Sequence, residues 1–390
     1  MKPTPKYLRA FVLAAAALGI CSESAQATTN CSFAINLKSK TMVLQGPCQT
    51  DETILIPDKL TLNGQGFKIT AIDPPGGNFA GPILTNAGTI ANVTNLFLRT
   101  STAMADFCQD DANKIVGILI NNAVSSISGV NITLNKGAGA SVCSEGIAIV
   151  AQSLPFSATK PYKKVTIKDS LFNYNQLAGI MARGNLNLRV ENNLIRNLDA
   201  NPNTRHGLVM SEGVKAYVVN NQILRHQHVP YNDDPGYGIL GNGIGASTFI
   251  TNAVNFADVG IRASGGTKIT IRANTVRSSS QDGIVLDDVN GINTTGNTLW
   301  ANDSQKNGLS GIYVRSVNGL VTKNTVKNNI TLRNTGVGLA TEGSLNKVQA
   351  NTSSLNTILD MSNVGGNLYS KNLCNTHSGP PITCTVPPAP

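Results

Sequence analysis

From residue 117 onward the sequence repeats one short unit, a strand opened by glycine and then a strand carrying asparagine, at intervals of 22 to 33 residues. The glycine strand reads Gly117-Ile-Leu-Ile, Gly146-Ile-Ala-Ile, Gly179-Ile-Met-Ala, Gly207-Leu-Val-Met, Gly238-Ile-Leu-Gly, Gly260-Ile-Arg-Ala, Gly283-Ile-Val-Leu, Gly311-Ile-Tyr-Val and Gly338-Leu-Ala-Thr. A unit this short cannot bury its apolar side alone, so successive units must stack and share a continuous core. The expected fold is therefore all-β: a single-stranded parallel β-helix. With a strand spacing of about 4.8 Å, some eleven to twelve coils make a rod roughly 50 to 60 Å long.

Asn193, Asn221, Asn252, Asn274, Asn297, Asn324 and Asn351 close the second strand of successive units and are expected to stack as one ladder. From each glycine to the next of these asparagines the spacing is 14, 14, 14, 14, 14, 13 and 13 residues, starting at Gly179. From each asparagine to the next glycine it is 14, 17, 8, 9, 14 and 14. Insertions are thus expected at one corner, on the face that solenoids use for binding. Long loops at 194–206 and 222–237, short ones at 253–259 and 275–282, and long ones at 298–310 and 325–337 predict two walls around a low floor, a groove over the coils of Gly260 and Gly283.

Alternation along each glycine strand sends the residues one and three after glycine inward. These are Ile180, Leu208, Ile261, Ala263, Ile284, Leu286, Ile312 and Val314, a core pattern, whereas Arg183, Ser211, Arg262, Asp287 and Arg315 are expected outside.

Residues 1–27 carry Lys2, Lys6 and Arg9, the apolar run Phe11 to Ile20, and Ala25-Gln-Ala27, a pattern that reads as a secretory signal cleaved near Ala27. No later run reaches the roughly 20 apolar residues of a membrane helix. The mature chain is expected to be secreted or periplasmic, and a monomer. Removing three basic residues and Glu23 lowers the formal charge from +9 to +7, which favours polyanions. Without a dense basic run interleaved with aromatics, nucleic acid is a poor partner. An acidic polysaccharide fits an exported chain better.

Six cysteines remain, in local couples Cys31 with Cys48, Cys108 with Cys143, and Cys374 with Cys384, and in an exported chain they read as disulfides. Sequence proximity is a preference among 15 connectivities. The outer couples fall where a solenoid needs capping. The expected organisation is a cap over 28–60, the β-helix over 61–368, and a C-terminal disulfide segment with a Pro-rich tail over 369–390.

The floor coils place Asp258, Arg262, Asp282, Asp287 and Asp288 on or beside the glycine strands, and the next coil adds Arg315. Paired carboxylates serve acid and base roles on a glycosidic bond. They also hold calcium with waters. Ion pairs and turn caps along a solvated strand row are the plainer account of the same residues.

His206, His226 and His228 cluster at the first wall, out of four histidines in the chain. An imidazole at His206 moving a proton, with Arg205 neutralising a carboxylate, is what proton abstraction beside a uronate carboxylate requires. His226 and His228, followed by Asp233 and Asp234, carry the residue types of a metal site, while loop packing or ligand contact needs no further ligands. Trp300 opens the second wall, where an indole stacks on sugar or simply packs.

The repeat resembles the right-handed parallel β-helix superfamily of pectate-lyase-like proteins over residues 60–368, and Leu60-Thr-Leu-Asn-Gly-Gln-Gly-Phe-Lys-Ile is similar to its opening coil. Thr204-Arg-His-Gly-Leu-Val-Met210 is similar to a strand of secreted alginate C5-epimerases, which implies a catalytic role for His206 and Arg205. The Tyr-Gly-Phe-Asp-Pro-His segment of that family has no counterpart upstream near Gly179, and the Asn-Thr-Asp, Gly-Asp-Asp, Gly-His-Gly and Arg-Ile-Lys motifs of polygalacturonases are missing.

These readings give two expected functions. One is lyase or epimerase chemistry on an acidic polysaccharide, with His206, Arg205, Asp282 and Asp287 as catalytic candidates and Asp258, Arg262, Arg315, His226, His228 and Trp300 as substrate contacts. The other is non-catalytic glycan binding or adhesion on the same surface. Metal delivery finds too few sulfur and imidazole ligands.

Overall fold

The computed structural model describes residues 29–101, 104, 115–134, 146–173, 177–197, 206–227, 235–288, 291–379, 382 and 384–385. Their regular elements are all strands, and nearly all pairings are parallel. The coils stack their strands in three rows. One coil runs Tyr237–Ile244, Thr248–Ile250 and Ala253–Ala257, and the chain re-enters the first row at Val259–Thr267.

The core is a set of in-register stacks. In the first row, Ile180, Leu208, Ile239, Ile261, Ile284, Ile312 and Leu339 lie one above another, all fully buried. In the second, Val190, Val218, Phe249, Ile271, Leu299, Val326 and Val348 do the same. The third begins as Ile195, Ile223, Val254 and Val276 and then turns polar at Ser304, Thr331 and Ser353. Burying those hydroxyls is tolerated because each is bonded, Ser304 Oγ to the Gly311 carbonyl at 2.6 Å and Thr331 Oγ1 to Ser353 Oγ at 2.7 Å.

The glycines of the first row answer a steric demand. A Cβ on Gly260 would meet Val276 Cγ1 at 2.2 Å and the Gly283 carbonyl at 2.5 Å. The second copy is offset from its sequence reading: Ile147 pairs with Val116 and Ile149 with Ile118, so Ala148, not Gly146, takes the level of Gly117.

The expected single asparagine ladder is instead three, one at each corner. Between the second and third rows stack Asn193, Asn221, Asn252, Asn274, Asn302, Asn329, Asn351 and Asn372, each amide bonding the next. Asn297 and Asn324 belong to a second ladder continued by Asn346 and Asn367. A third comprises Asn307, Asn334 and Asn356. The residue before each main-ladder asparagine has positive φ, among them Ala273 at 53° and Ala301 at 54°. That left-handed geometry costs about 1–2 kcal/mol for a residue with a Cβ. The amide bonds formed at the same corner offset it.

The ladders relocate the insertions. Residues 298–310 and 325–337 are not wall loops, because they hold the regular strands Thr298–Trp300, Asp303–Gln305, Thr325–Lys327 and Ile330–Leu332. The extra residues of these coils follow Asp287 and Arg315, at the corner between the first and second rows. The first-wall residues 198–205 and 228–234 lie outside the described set.

At the N-terminus Phe33–Asn36 runs antiparallel to Thr41–Leu44, and Cys31 is bonded to Cys48. Cys374 is bonded to Cys384 at the other end. Cys108 and Cys143 fall outside the described residues.

Candidate functional site on the glycine row

The first row brings His206, Tyr237, Arg262, Asp287 and Arg315 together on successive coils. His206 and Tyr237 are register partners on adjacent coils, their ring centroids 5.4 Å apart. His206 Nδ1 accepts the backbone N–H of Tyr237 at 3.3 Å. A neutral imidazole that accepts at Nδ1 carries its proton on Nε2.

One coil further, Arg262 bridges both directions. Its Nη1 donates to the Tyr237 hydroxyl at 2.7 Å, and its Nη2 lies 2.8 Å from Asp287 Oδ2 on the following coil. Asp287 is 1% exposed, so this carboxylate serves the guanidinium before any solute. The Arg262 guanidinium is pushed up from its ordinary value: burial lowers it, but the charges of Asp287 and Tyr237 and their hydrogen bonds outweigh burial.

Asp282 precedes Gly283 as His206 precedes Gly207 and Tyr237 precedes Gly238. Burial holds its carboxyl above the usual range, against hydrogen bonds from Ser310 and the charges of Arg315 and Arg262. Arg315 is exposed, in register with Asp287. Between these residues, Tyr237, Val259 and Val285 form a small apolar floor with Leu240 and Tyr313. The Tyr313 hydroxyl donates to Glu342. Burial, then that bond, pushes the phenol far up.

Other sequence candidates sit elsewhere. Asp258 is fully buried and accepts from the Gly236 N–H at 2.8 Å and the Ser280 hydroxyl at 2.5 Å, so it acts as a corner clamp. Asp288 likewise holds the N–H groups of Val317, Asn318 and Leu320. His226 is buried on the third row, where burial pushes its imidazole down to about 4, the Ile195 carbonyl opposing and His206 adding to the shift. Trp300 is on the second row, paired with Arg272 and Lys327, and is no part of a wall over the glycine row. Arg205, His228, Asp233 and Asp234 lie outside the described residues. Among the described residues no three His, Cys, Asp or Glu side chains converge as a metal site.

Tyr237 is the member of this cluster that sequence reasoning misses. Its signal is positional: it stands directly before the row's glycine, as His206 does one coil earlier.

Solved structures with the same coil architecture include the periplasmic alginate epimerase AlgG, at 13% identity over 84% of this chain and 85% of that one, with a TM-score of 0.59. The Dettilon tailspike protein superposes with a TM-score of 0.54 at 15% identity, over 86% of this chain and 61% of that one. The catalytic unit of an α-1,3-glucanase from Streptomyces thermodiastaticus gives 0.51 at 12% identity, over 86% and 62%. At such identities the likeness is one of fold. No curated protein matches the chain by sequence. The model of the right-handed beta helix region matches residues 116–352, more than half of the chain, and the chain belongs to that family.

Proposed function

We propose that the protein is exported and binds an acidic polysaccharide across the outer face of the glycine row, where it exchanges the proton beside a uronate carboxylate in lyase or epimerase fashion. The observation that carries this reading is the set His206, Tyr237, Arg262 on consecutive coils: the imidazole accepts the backbone N–H of Tyr237 and lies beside its ring, and the guanidinium donates to the Tyr237 hydroxyl. Removing a proton next to a carboxylate needs a positive charge on the carboxylate and groups to take and return the proton. In the proposed arrangement Tyr237 acts as a phenolate stabilised by Arg262: it takes the proton and becomes the phenol. The phenol hands that proton to the leaving glycosidic oxygen in the lyase case, while water reprotonates the opposite face in the epimerase case. The His206 Nε2–H donates a hydrogen bond that positions the uronate without giving up its proton. Arg315, exposed beside Asp282, is the cation that faces the polymer's carboxylate.

Several observations support the setting. Two disulfides at the ends of the rod suit an oxidising compartment. Among the described residues no helix is long and apolar enough to cross a membrane. AlgG and the glucanase, whose names state actions on polysaccharides, share the fold.

Non-catalytic glycan binding is the second reading, and one observation favours it: the Arg262 charge is already answered by Asp287. Retardation of the mature protein in gels containing polygalacturonate or alginate, against neutral dextran, tests the shared part of both. Retardation by the acidic polymers alone, weakened in Arg315→Ala, is expected; equal mobility in all gels rules both out.

A further inference from the structure

The second row carries a column of charge that the glycine row does not use. Arg272, Trp300 and Lys327 are register partners on three consecutive coils. The Arg272 guanidinium carbon lies 4.1 Å from the Trp300 ring centroid and Lys327 Nζ lies 5.1 Å from it. One indole thus holds two cations in place, through the attraction of positive charge to the ring face.

Three arginines elsewhere along the rod have carboxylate partners: Arg189 with Glu191 at 2.6 Å, Arg277 with Asp303 at 3.1 Å, Arg262 with Asp287 at 2.8 Å. Among the described residues neither Arg272 nor Lys327 has one. Two like charges gathered on one ring repel each other unless an anion joins them. Beside them, two residues earlier on the same strands, runs a column of half-exposed hydroxyls, Thr270, Thr298 and Thr325, which leads in register to Lys347. Cations with adjacent hydroxyls are groups that recognise a carboxylated sugar.

The spacing agrees. The backbones of Arg272 and Lys327 are two coils apart, about 9.6 Å at the usual strand separation. Their charged groups, 4.1 and 5.1 Å from one ring centroid, lie somewhat closer than that, within the length of a disaccharide. Because the indole already orders both side chains, binding there loses less side-chain entropy than binding to free surface cations.

We infer that the Arg272, Trp300, Lys327 column is a second acidic-glycan subsite, on a different strand row from the candidate site over the glycines, where the carboxylates of a polyuronate are held by the two cations. It takes from the proposed function only the class of glycan.

Trp300 is the chain's only tryptophan, so its emission reports on this column alone. The test is a fluorescence titration of the mature protein with oligogalacturonate and, separately, oligomannuronate, against maltooligosaccharide as the neutral control. The expected result is a saturable change with at least one acidic oligomer and none with the neutral one, weakened by added salt. In Arg272→Ser with Lys327→Ser the apparent affinity should fall at least ~tenfold, about 1.4 kcal/mol, while Arg262→Ala should leave the titration in place. Arg272→Lys, which keeps the charge, should retain most of the signal and separates charge from folding. An emission that stays flat while the same oligomers are bound or turned over at the glycine row overturns the subsite alone. A saturable change lost only with Arg272 and Lys327, in a protein without turnover, upholds the subsite and counts against catalysis. No response to any acidic oligomer, or an unchanged titration in the double variant, overturns the inference.

Discussion

The Arg262 guanidinium lies 2.8 Å from the Asp287 carboxylate on the next coil and reaches back to the Tyr237 hydroxyl on the previous one. Three coils are thereby tied together on the outer face by a single side chain. Asp287→Ala would leave a largely buried cation unanswered, which costs roughly 3 kcal/mol. The urea midpoint should fall accordingly. Arg262→Met combined with Asp287→Leu should recover much of the loss, because removing both charges strands neither; a double variant no better than Asp287→Ala would show that the pair acts independently.

Asn274 accepts the backbone N–H and the side-chain amide of Asn252, and donates to the Phe249 carbonyl and to Asn302. Asn274→Ala removes all four bonds and leaves a buried N–H without an acceptor. A loss of about 2–4 kcal/mol is expected, measured by denaturant unfolding. A shift below 0.5 kcal/mol, the ordinary scatter of surface substitutions, would mean the ladder contributes little.

Gly260→Ala should destabilise the rod strongly, since the new Cβ would lie 2.5 Å from the Gly283 carbonyl and 2.2 Å from Val276. Ala148 already occupies the same level in another coil, so Ala148→Gly should be mild by comparison. Thermal melts of the two variants decide this, and equal shifts would refute the steric account.

His226 sets a pH dependence with a definite sign. Its folded-state value is about 4 against an ordinary 6.5, so the unfolded chain binds more protons between these limits. Stability is therefore full above pH 6.5 and declines as pH falls toward 4, by on the order of 3 kcal/mol. His226→Gln should flatten the melting temperature across that window. A slope identical to wild type would place its origin elsewhere.

Much of the architecture was legible because inward positions repeat with the coil: Ile261, Ile284 and Ile312 sit where alternation put them, fully buried. The asparagines were harder. Asn297 and Asn302 both follow a residue of positive φ, Gly296 and Ala301, so both have the local chemistry of a corner. Gly283 to Asn297 happens to repeat the spacing of earlier coils, and only inter-coil register separates the two ladders. That misreading moved the insertions to the wrong corner and put Trp300 on a wall.

The candidate site was legible in part, on different grounds. His206 drew notice as a scarce residue type, and Arg262, Asp282 and Asp287 as charges in a sparsely charged chain. Tyr237 did not, because a tyrosine beside glycine is equally a packing residue until its hydroxyl is seen to accept from Arg262. Asp258 was misleading, since nothing in its sequence surroundings reveals that its oxygens close a corner through Gly236 and Ser280.

The central claim, proton exchange on an acidic polysaccharide at the glycine row, is tested most directly by proton NMR of alginate and polygalacturonate incubated with the mature protein in deuterated water. His206→Ala serves as the paired control. The account predicts new unsaturated ends or inverted residues with wild type, none with His206→Ala, and nearly equal melting temperatures for the two proteins. Unchanged polymers with wild type, or full turnover by His206→Ala, would contradict it.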